Sequence, residues 1–578
     1  VVMAASITLS GFVALTLTPA LCARFLRGHA SLAATTVLGG VIDRFFAGFN
    51  GCYDRVDRAF ATAARITASR RIVAWILTAG FVAGGLLLAR RVPSGFIPND
   101  DQGMFYINVN SPPGATLERT KEVVDAIAAA GRDVDGVEGI ATVAGTNVLS
   151  DGTGATYGTC IVNLAPWHER RHSVTEVIAA MKRRTAHIQG AELEFFPPPA
   201  IPGYGNASGF ELRLLDKTGR AEAVEMERVT KQFVADLQAR PEIANAFTIF
   251  NAGFPQYTIR LDSDRAAQLG VTPERALGTL EALLGNEYAT NFIRFGRMYK
   301  VMVQALPEYR ATPEQLLALQ VRSERGELVP MSSFMTLDKT YGVDQVTRYN
   351  MYPSAEINGD GKPGYSSGEV LRAVQETARE KLPRGYAIDW AGISRDEVNA
   401  GNQGMIVGLI ALVFVFLVLA AQYESFVLPI AVLLSLPPGL FGAFLFLQGA
   451  GLENNIYTHI ALVVLIGLLG KNAILIVELA ELKCEEGRSP REAVVEAVRL
   501  RLRPIVMTSL AFIAGLLPLV QASDAGAIAN RTIGTATVGG MVMGTLWGTL
   551  AVPGLYVACK RFSLRFERAP ASGEERGS

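Results

Sequence analysis

The chain has 578 residues, of which 49% are hydrophobic and 19% charged, and its mean hydropathy is +0.25. An average soluble domain carries about 25% charged residues, so the composition excludes a purely soluble enzyme and a disordered chain alike. Fifty-four basic residues balance 54 acidic ones, which argues against a nucleic-acid binder.

The chain opens at Val1 in an apolar run, VVMAASITLSGFVALTLTPAL, with no polar lead. A signal peptide would begin with a charged segment, so the expectation is a C-terminal fragment of a longer protein. A bilayer-spanning helix needs about 20 largely apolar residues. Val1–Leu21 is the first candidate. Cys22–Arg71 follows, with eight arginines among Val41, Ile42, Phe45, Phe46 and Phe49; it reads either as a helix on the membrane surface or as an ordinary loop. Ile72–Ala89 is the second candidate span.

From Arg90 to about Ala400 the sequence looks soluble, and about 310 residues is too long for a loop. Met104–Asn110 reads as a strand, Thr116–Ala130 as a helix with Leu117, Val123, Val124 and Ile127 on one face, and Val137–Val143 as a strand. Thr159–Leu164, Ser173–Ile188 (Ser173 as N-cap) and Glu192–Phe196 repeat that order. Two such units predict a split βαβ, ferredoxin-like domain. The cycle recurs with Phe210–Leu215, Glu222–Ala239 and Phe247–Ile249, and again with Val346–Asn350, Ser367–Lys381 and Tyr386–Trp390. Asp262–Tyr341 lies between, with a basic hairpin at Phe292–Val303. PPPAIPGYG (197–205) reads as a stiff linker.

Five further spans follow: Asn402–Ala421, Val427–Gln448, Tyr457–Leu479, Pro504–Gln521 and Thr532–Cys559. Pro437–Pro438 should kink or break the second of these. Gly540, Gly544 and Gly548 permit close packing of the last. Glu481–Arg503 carries Lys483, Arg488, Arg491, Arg499, Arg501 and Arg503, and Lys560–Arg568 adds four more basic residues. The loops 450–456 and 522–531 hold only Arg531. The positive-inside rule then places the basic segments in the cytoplasm and the long insert outside. Cys22, Cys52, Cys160, Cys484 and Cys559 show no metal or disulfide spacing and read as isolated thiols. No hydrolase, metalloprotease, P-loop or dinucleotide signature is present, so the chain is not read as an enzyme.

Five segments carry a resemblance: TLTPALCARFL (17–27), FIPNDDQGMFYINVNSPPGAT (96–116), LAAQYESFVLPI (419–430), IGLLGKNAILIVELA (466–480) and RLRPIVMTSLAFIAGLLPL (501–519). The chain resembles, nearly end to end, the C-terminal half of a resistance–nodulation–division (RND) efflux pump of the AcrB-like family. The resemblance implies a multi-span α-helical membrane protein with a large periplasmic α/β insert of ferredoxin-like subdomains, the second pseudo-repeat of the RND transporter fold. Residues 1–21 would end span six, 22–71 form a cytoplasmic linker, 72–89 form span seven, 402–559 spans eight to twelve, and 560–578 a cytoplasmic tail. Within 90–400, PC1 would take about 100–200, PC2 about 205–255 and 345–397, and the docking DC subdomain about 256–344. The family works as a homotrimer in the Gram-negative inner membrane. It joins a periplasmic adaptor and an outer-membrane channel and exports drugs and other amphiphiles in exchange for protons. No cofactor or metal is implied; the proton-motive force drives transport.

Lys471 stands near the middle of its span, about nine residues or about 14 Å from the cytoplasmic end, beyond comfortable snorkelling reach. An ammonium there costs roughly 2.5–3.5 kcal/mol and normally has a partner in the bundle. Glu424, Glu478 and Glu481 all sit at helix ends, at the wrong depth. The resemblance supplies the partner as paired aspartates on span four, absent here, and implies a proton relay of Lys471, Asn472, Arg501 and Thr508. Arg501 and Thr508, seven apart, share a helix face. The alternative is that Arg501 is an interfacial anchor and Thr508 bonds its own helix.

The family's drug pocket is rich in phenylalanine. Here the matching segment, 140–164, places Ala141, Thr146, Val148 and Ile161 at those positions, with Gly145, Gly152 and Gly154 suited to a mobile loop. Phe195, Phe196, Ile249 and Phe250 are further candidates for the same cleft, though each also reads as sheet core. Thr146, Val148 and Ile161 join them as the substrate-binding set. Two other readings stand beside drug export. A heavy-metal RND exporter would use methionines, but Met104, Met181, Met226, Met298, Met302, Met331, Met335 and Met351 match no pocket position. A SecD/SecF-like translocation helper shares the span layout but not the Lys471 segment. Residues 1–578 alone are expected not to transport.

Overall fold

Runs of twenty apolar residues leave a helix no aqueous face, and in lipid a helix is one of the few structures that satisfies its own backbone. The computed structural model describes residues 2–25, 37–220, 222–285, 287–401, 403–524 and 526–567. It divides into a helical unit, built from the chain up to Val92 and from most of the chain beyond Asn402, and an α/β unit, Pro93–Gly401 with Ser523–Ala529.

In the helical unit, six stretches among the described residues are long and apolar enough to cross a membrane: Ile72–Arg91, Ile406–Tyr423, Leu428–Gly449, Ile456–Glu485, Pro490–Val520 and Ala527–Ser563. The first expected span is helical over Val2–Phe25, but its described apolar stretch, Thr8–Arg24, is shorter. Between spans one and two, residues 26–36 lie outside the described residues. From Val37 on the segment is one helix, Val37–Ser69. Its end packs in: Ala64 and Ala68 are buried with Val494, Ala497, Val498 and Tyr556, and the Arg503 guanidinium lies 5.6 Å from the Tyr53 ring centroid.

The proline pair acts as expected. The helix Leu428–Leu433 stops, three residues turn, and Pro437 opens the helix Pro437–Gly449, because proline suits a first turn and not an interior. The basic segment 481–503 is mostly helical rather than a loop. One helix runs to Glu485 and the next starts at Pro490, capped by Ser489. Likewise the expected tail is helical up to Glu567; residues 568–578 lie outside the described residues.

Glycines set the closest helix crossing. A Cβ on Gly442 would run into the Gly539 carbonyl, and one on Gly540 into Leu465. Gly544 lies against Leu469, and a Cβ on Gly548 would sit 2.9 Å from the Ser435 carbonyl. The last span is not one regular helix. Ala527–Met543 passes through a π turn, Gly544–Gly548, into Thr549–Glu567.

The α/β unit contains two sheets of one topology. β1 (Met104–Asn110), β2 (Val137–Asn147), β3 (Gly152–Leu164) and β4 (Glu192–Phe196) form an antiparallel sheet in the order β2-β3-β1-β4. The helices Leu117–Gly131 and Val174–Thr185, capped by Thr116 and by a Ser173–Glu176 capping box, close it over Phe105, Ile107, Val124, Ile127, Val177 and Met181. β5 (Phe210–Asp216) and β6 (Ile243–Phe247) begin the second sheet. The chain then leaves it for β7 (Phe254–Leu261), the hairpin β8 (Glu287–Arg294) and β9 (Arg297–Val303), the short pair β10 (Gln320–Arg322) and β11 (Leu328–Pro330), and β12 (Met335–Gly342), which pairs back with β7. It returns through β13 (Arg348–Tyr349), β14 (Tyr352–Gly361) and β15 (Tyr386–Trp390). The second sheet reads β6-β14-β5-β15, the same order as the first, with the excursion inserted between its second and third strands.

Three expectations are corrected. The strand expected at 346–350 is only Arg348–Tyr349; Asn350 and Met351 take positive φ as the two-residue turn of a hairpin, and the long strand follows at Tyr352–Gly361. The strand expected at 247–249 lies at Ile243–Phe247, so Ile249 and Phe250 fall in the loop after it. The glycine-bearing stretch between the strands expected at 137–143 and 159–164, expected as a mobile loop, is mostly strand in the β2–β3 hairpin. Gly152 and Gly154 lie within β3, and Gly145, at φ +96°, sits at a bulge where the register shifts.

Candidate functional site

Two places collect polar chemistry. The first is in the helical unit. The helix Ile456–Glu485 starts at Asn455, whose side chain accepts from the Tyr457 and Thr458 amides at 3.0 and 3.2 Å. Lys471 stands midway along it, exposed and with no ion-pair partner among the described residues. Asn472, one residue on and rotated by about 100°, is only 4% exposed. Its Nδ2 donates to Ser509 Oγ at 3.4 Å, and the Thr545 hydroxyl donates to the same oxygen at 2.9 Å. Thr508 instead donates to the Ile505 carbonyl of its own helix at 3.0 Å. Thus Asn472 meets Ser509 rather than Thr508.

Arg501 is half-buried, and its Nε has no acceptor among the described residues. It lines a cavity of about 270 Å³ with Tyr423, Glu478, Glu481 and Glu485. Glu481 there accepts from the Tyr556 hydroxyl at 2.9 Å and from Lys560 at 2.6 Å. The four expected relay residues are therefore not one cluster in this chain. Ser509 and Thr545 were missed by sequence reasoning. A signal existed for Ser509: Leu502, Ile505 and Ser509 share the buried face of their helix.

The second place is a groove of about 710 Å³ in the α/β unit, lined among others by Asn110, Asn147, Arg213, Phe250, Asp344 and Glu356. Its floor is ionic. Arg213 is held between Glu211 at 3.0 Å and Glu356 at 2.5 Å. At the rim the Tyr157 hydroxyl, its pKa raised by burial and by Asp344, donates to that carboxylate. Ile249 and Phe250 line the groove. Thr146, Val148 and Ile161 are not among its lining residues. Phe195 and Phe196 are buried at the end of β4, Phe196 with its ring 5.8 Å from Tyr106 and 6.3 Å from Phe247. Phe195 also borders a second cavity, of about 470 Å³, with Lys182 and Glu194. Hydrophobicity alone did not separate groove-lining from core residues, and the Arg213–Glu356 pair joins strands 143 residues apart, beyond any local pattern.

Two carboxyls of the α/β unit are buried, Glu194 at the second cavity and Asp360 on β14. Burial pushes Glu194 up to about 8, reinforced by Glu192 and Glu356 and opposed by the Asn108 amide at 3.3 Å. Burial likewise pushes Asp360 up to about 6, against the Ser208 hydroxyl at 3.2 Å and Lys182. The folded chain thus holds protons that the unfolded chain releases near pH 4.5, so stability falls as pH rises through about 8. Glu194→Gln is expected to melt higher than the parent near pH 9 and together with it near pH 4. Thermal unfolding of the purified chain in detergent at the two pH values checks this. Equal parental and variant melting at both would refute it.

Among the described residues, six helices are long and apolar enough to cross a membrane, with a polar seam among them, and an α/β unit carries a large groove. The chain belongs to the AcrB/AcrD/AcrF family, whose model matches residues 1–560. It is 39% identical over 556 residues to the toluene efflux pump membrane transporter TtgB of Pseudomonas putida, covering 95% of this chain and 52% of that protein. It is 37% identical over 573 residues to the multidrug export protein AcrF of Escherichia coli, covering 97% and 54%. It is 34% identical over 578 residues to the multidrug resistance protein MdtF of the same species, covering 98% and 55%. The chain spans about half the length of the curated relatives it matches.

Proposed function

We propose that this chain forms the C-terminal part of an RND efflux pump of the Gram-negative inner membrane, exporting drugs or other amphiphiles in exchange for protons. The family match over residues 1–560 carries the reading. The helices Arg71–Arg91 and onward are spans seven to twelve, and the α/β unit is periplasmic. Its two sheets, alike in strand order, are the ferredoxin-like PC1 and PC2 subdomains of the second pseudo-repeat. The excursion from β7 to β12 is the docking subdomain. The pump works as a homotrimer with an adaptor and an outer-membrane channel. Lys471, Asn472, Arg501 and Thr508 serve the proton relay, with the acid partner of Lys471 on the upstream half.

The groove is the substrate cleft, and its mixed lining of Arg213, Glu356 and Phe250 suits amphiphiles better than purely apolar cargo. Met181, Met226 and Met331 fill three different cores, which favours organic cargo over metal ions. The test is the full-length gene, with its upstream region, in a pump-deficient host supplied with a matching adaptor and channel. Dye efflux that a protonophore stops is expected; no export of any organic dye would sink the reading. Phe250→Ala removes an aromatic contact worth about 0.5–1.5 kcal/mol. It should lower export of aromatic substrates by about 2- to 10-fold, read as minimum inhibitory concentrations.

A further inference from the structure

We propose that Ser509 and Thr545 are positioning residues for energy coupling: with Asn472 they form a hydroxyl bridge from the Lys471 helix to the last span, and the π turn Gly544–Gly548 is the joint at which that span moves. The proposal rests on the proton-exchange reading and adds two residues and a moving element to it.

Three helices meet at one oxygen. Asn472 comes from Ile456–Glu485, Ser509 from Pro490–Val520 and Thr545 from the π turn. Ser509 is 2% exposed, and its hydroxyl accepts both the Asn472 amide and the Thr545 hydroxyl. A hydroxyl has two lone pairs, so Ser509 is saturated as an acceptor. Buried polar groups in an apolar bundle hold together because an unmade bond there has no water to replace it. A displacement of Asn472 is therefore passed to Thr545 through Ser509.

The receiving element can move. A π turn carries one residue too many for α geometry and often marks a functional position in a helix. Here its wide ring is supported from within, because the Thr549 hydroxyl donates to the Thr545 carbonyl. Glycines bracket it. Gly544 lies against Leu469, two residues before Lys471 on the same helix, and Gly548 lies against the Ser435 carbonyl at the break of the proline-interrupted helix. The joint thus reaches the Lys471 helix indirectly, through Ser509, and directly where Gly544 meets Leu469. Relaxing the turn to α would rotate Thr545 by about 100° and shift it by about 1.5 Å, enough to break its bond to Ser509. The bridge therefore goes with the π form and is lost in the α form, and a shift of Asn472 selects between the two.

The test uses the full-length transporter, including its upstream half, reconstituted in liposomes under an imposed proton gradient. Thr545→Val keeps the shape and removes the hydroxyl; Thr545→Ser restores it. Ser509→Ala, smaller than the parent residue, serves if Thr545→Val fails to insert. Lys471→Ala reports on the underlying reading. Thr545→Val and Ser509→Ala are expected to lower proton-driven dye transport by about fivefold or more with dye binding to the purified protein unchanged. Thr545→Ser should restore transport, and the double variant should be no worse than either single one. A merely structural role would lower binding and transport together. If Lys471→Ala abolishes transport while Thr545→Val and Ser509→Ala transport like the parent, the bridge is refuted and the proton reading stands. If Lys471→Ala also transports like the parent, both fall.

Discussion

Lys471→Ala in the full-length pump is expected to bring dye efflux down to the level of the empty host at unchanged membrane expression. An ammonium halfway along a spanning helix costs roughly 2.5–3.5 kcal/mol, and more without a partner. Within this chain that cost has no structural return, because Lys471 is exposed and makes no ion pair among the described residues. The expectation rests on the proposed relay, in which Lys471 pairs with an acid on the upstream half. Removing it should stabilise the helix and abolish coupling together. Lys471→Arg keeps the charge but replaces a compact ammonium by a planar fork, and should be nearly as inactive. Efflux at the parental rate in Lys471→Ala, with expression confirmed by immunoblot, would remove the residue from the mechanism.

The largest structural effect should come from Gly442→Val and Gly539→Val. The helix Pro437–Gly449 and the last span cross with backbone on backbone, and a Cβ at either position meets the other glycine's carbonyl. Overpacking costs about 1–3 kcal/mol where side chains can yield, and more where they cannot. Here the obstacle is backbone held in a helix, so each substitution should cost about 3 kcal/mol or more. The purified chain should lose its cooperative thermal transition in detergent or melt far lower. Gly467→Ala is the control: nothing lies within 4 Å of its Cβ, and alanine favours the helix by about 1 kcal/mol. Parental melting in Gly442→Val would show that the helices separate at little cost and would overturn the packing argument.

Much of this fold was legible because its period is local. Seven apolar runs announced the helices, and Thr116 and Ser173 sit at helix starts as their hydroxyls require. The strands at 104–110, 192–196 and 386–390 lie where alternation placed them. The excursion's hairpin was visible as FIRFGRMYKVMV. The family followed from short motifs, because their residues are needed in one order irrespective of how the chain packs.

What failed was whatever depends on rotation or on distant partners. Arg501 and Thr508 do share one helix face, but the buried face is one residue further round, at Leu502, Ile505 and Ser509. One residue is about 100° of rotation, and only packing against the neighbouring helices decides it. The glycines at 145, 152 and 154 read as a loop because glycine is as compatible with a bulged hairpin as with a turn; the partner strand made the choice. Ile249 and Phe250 reach the groove because β6 ends at Phe247, where pairing with β14 stops, and Phe250 also packs against the core of the second sheet. Most of the helices and several strands, their order and the family were legible in the sequence, since those rest on neighbours a few residues apart. The Asn472–Ser509–Thr545 bridge and the Arg213–Glu356 floor were decided by tertiary structure alone, because each joins residues tens to more than a hundred positions apart.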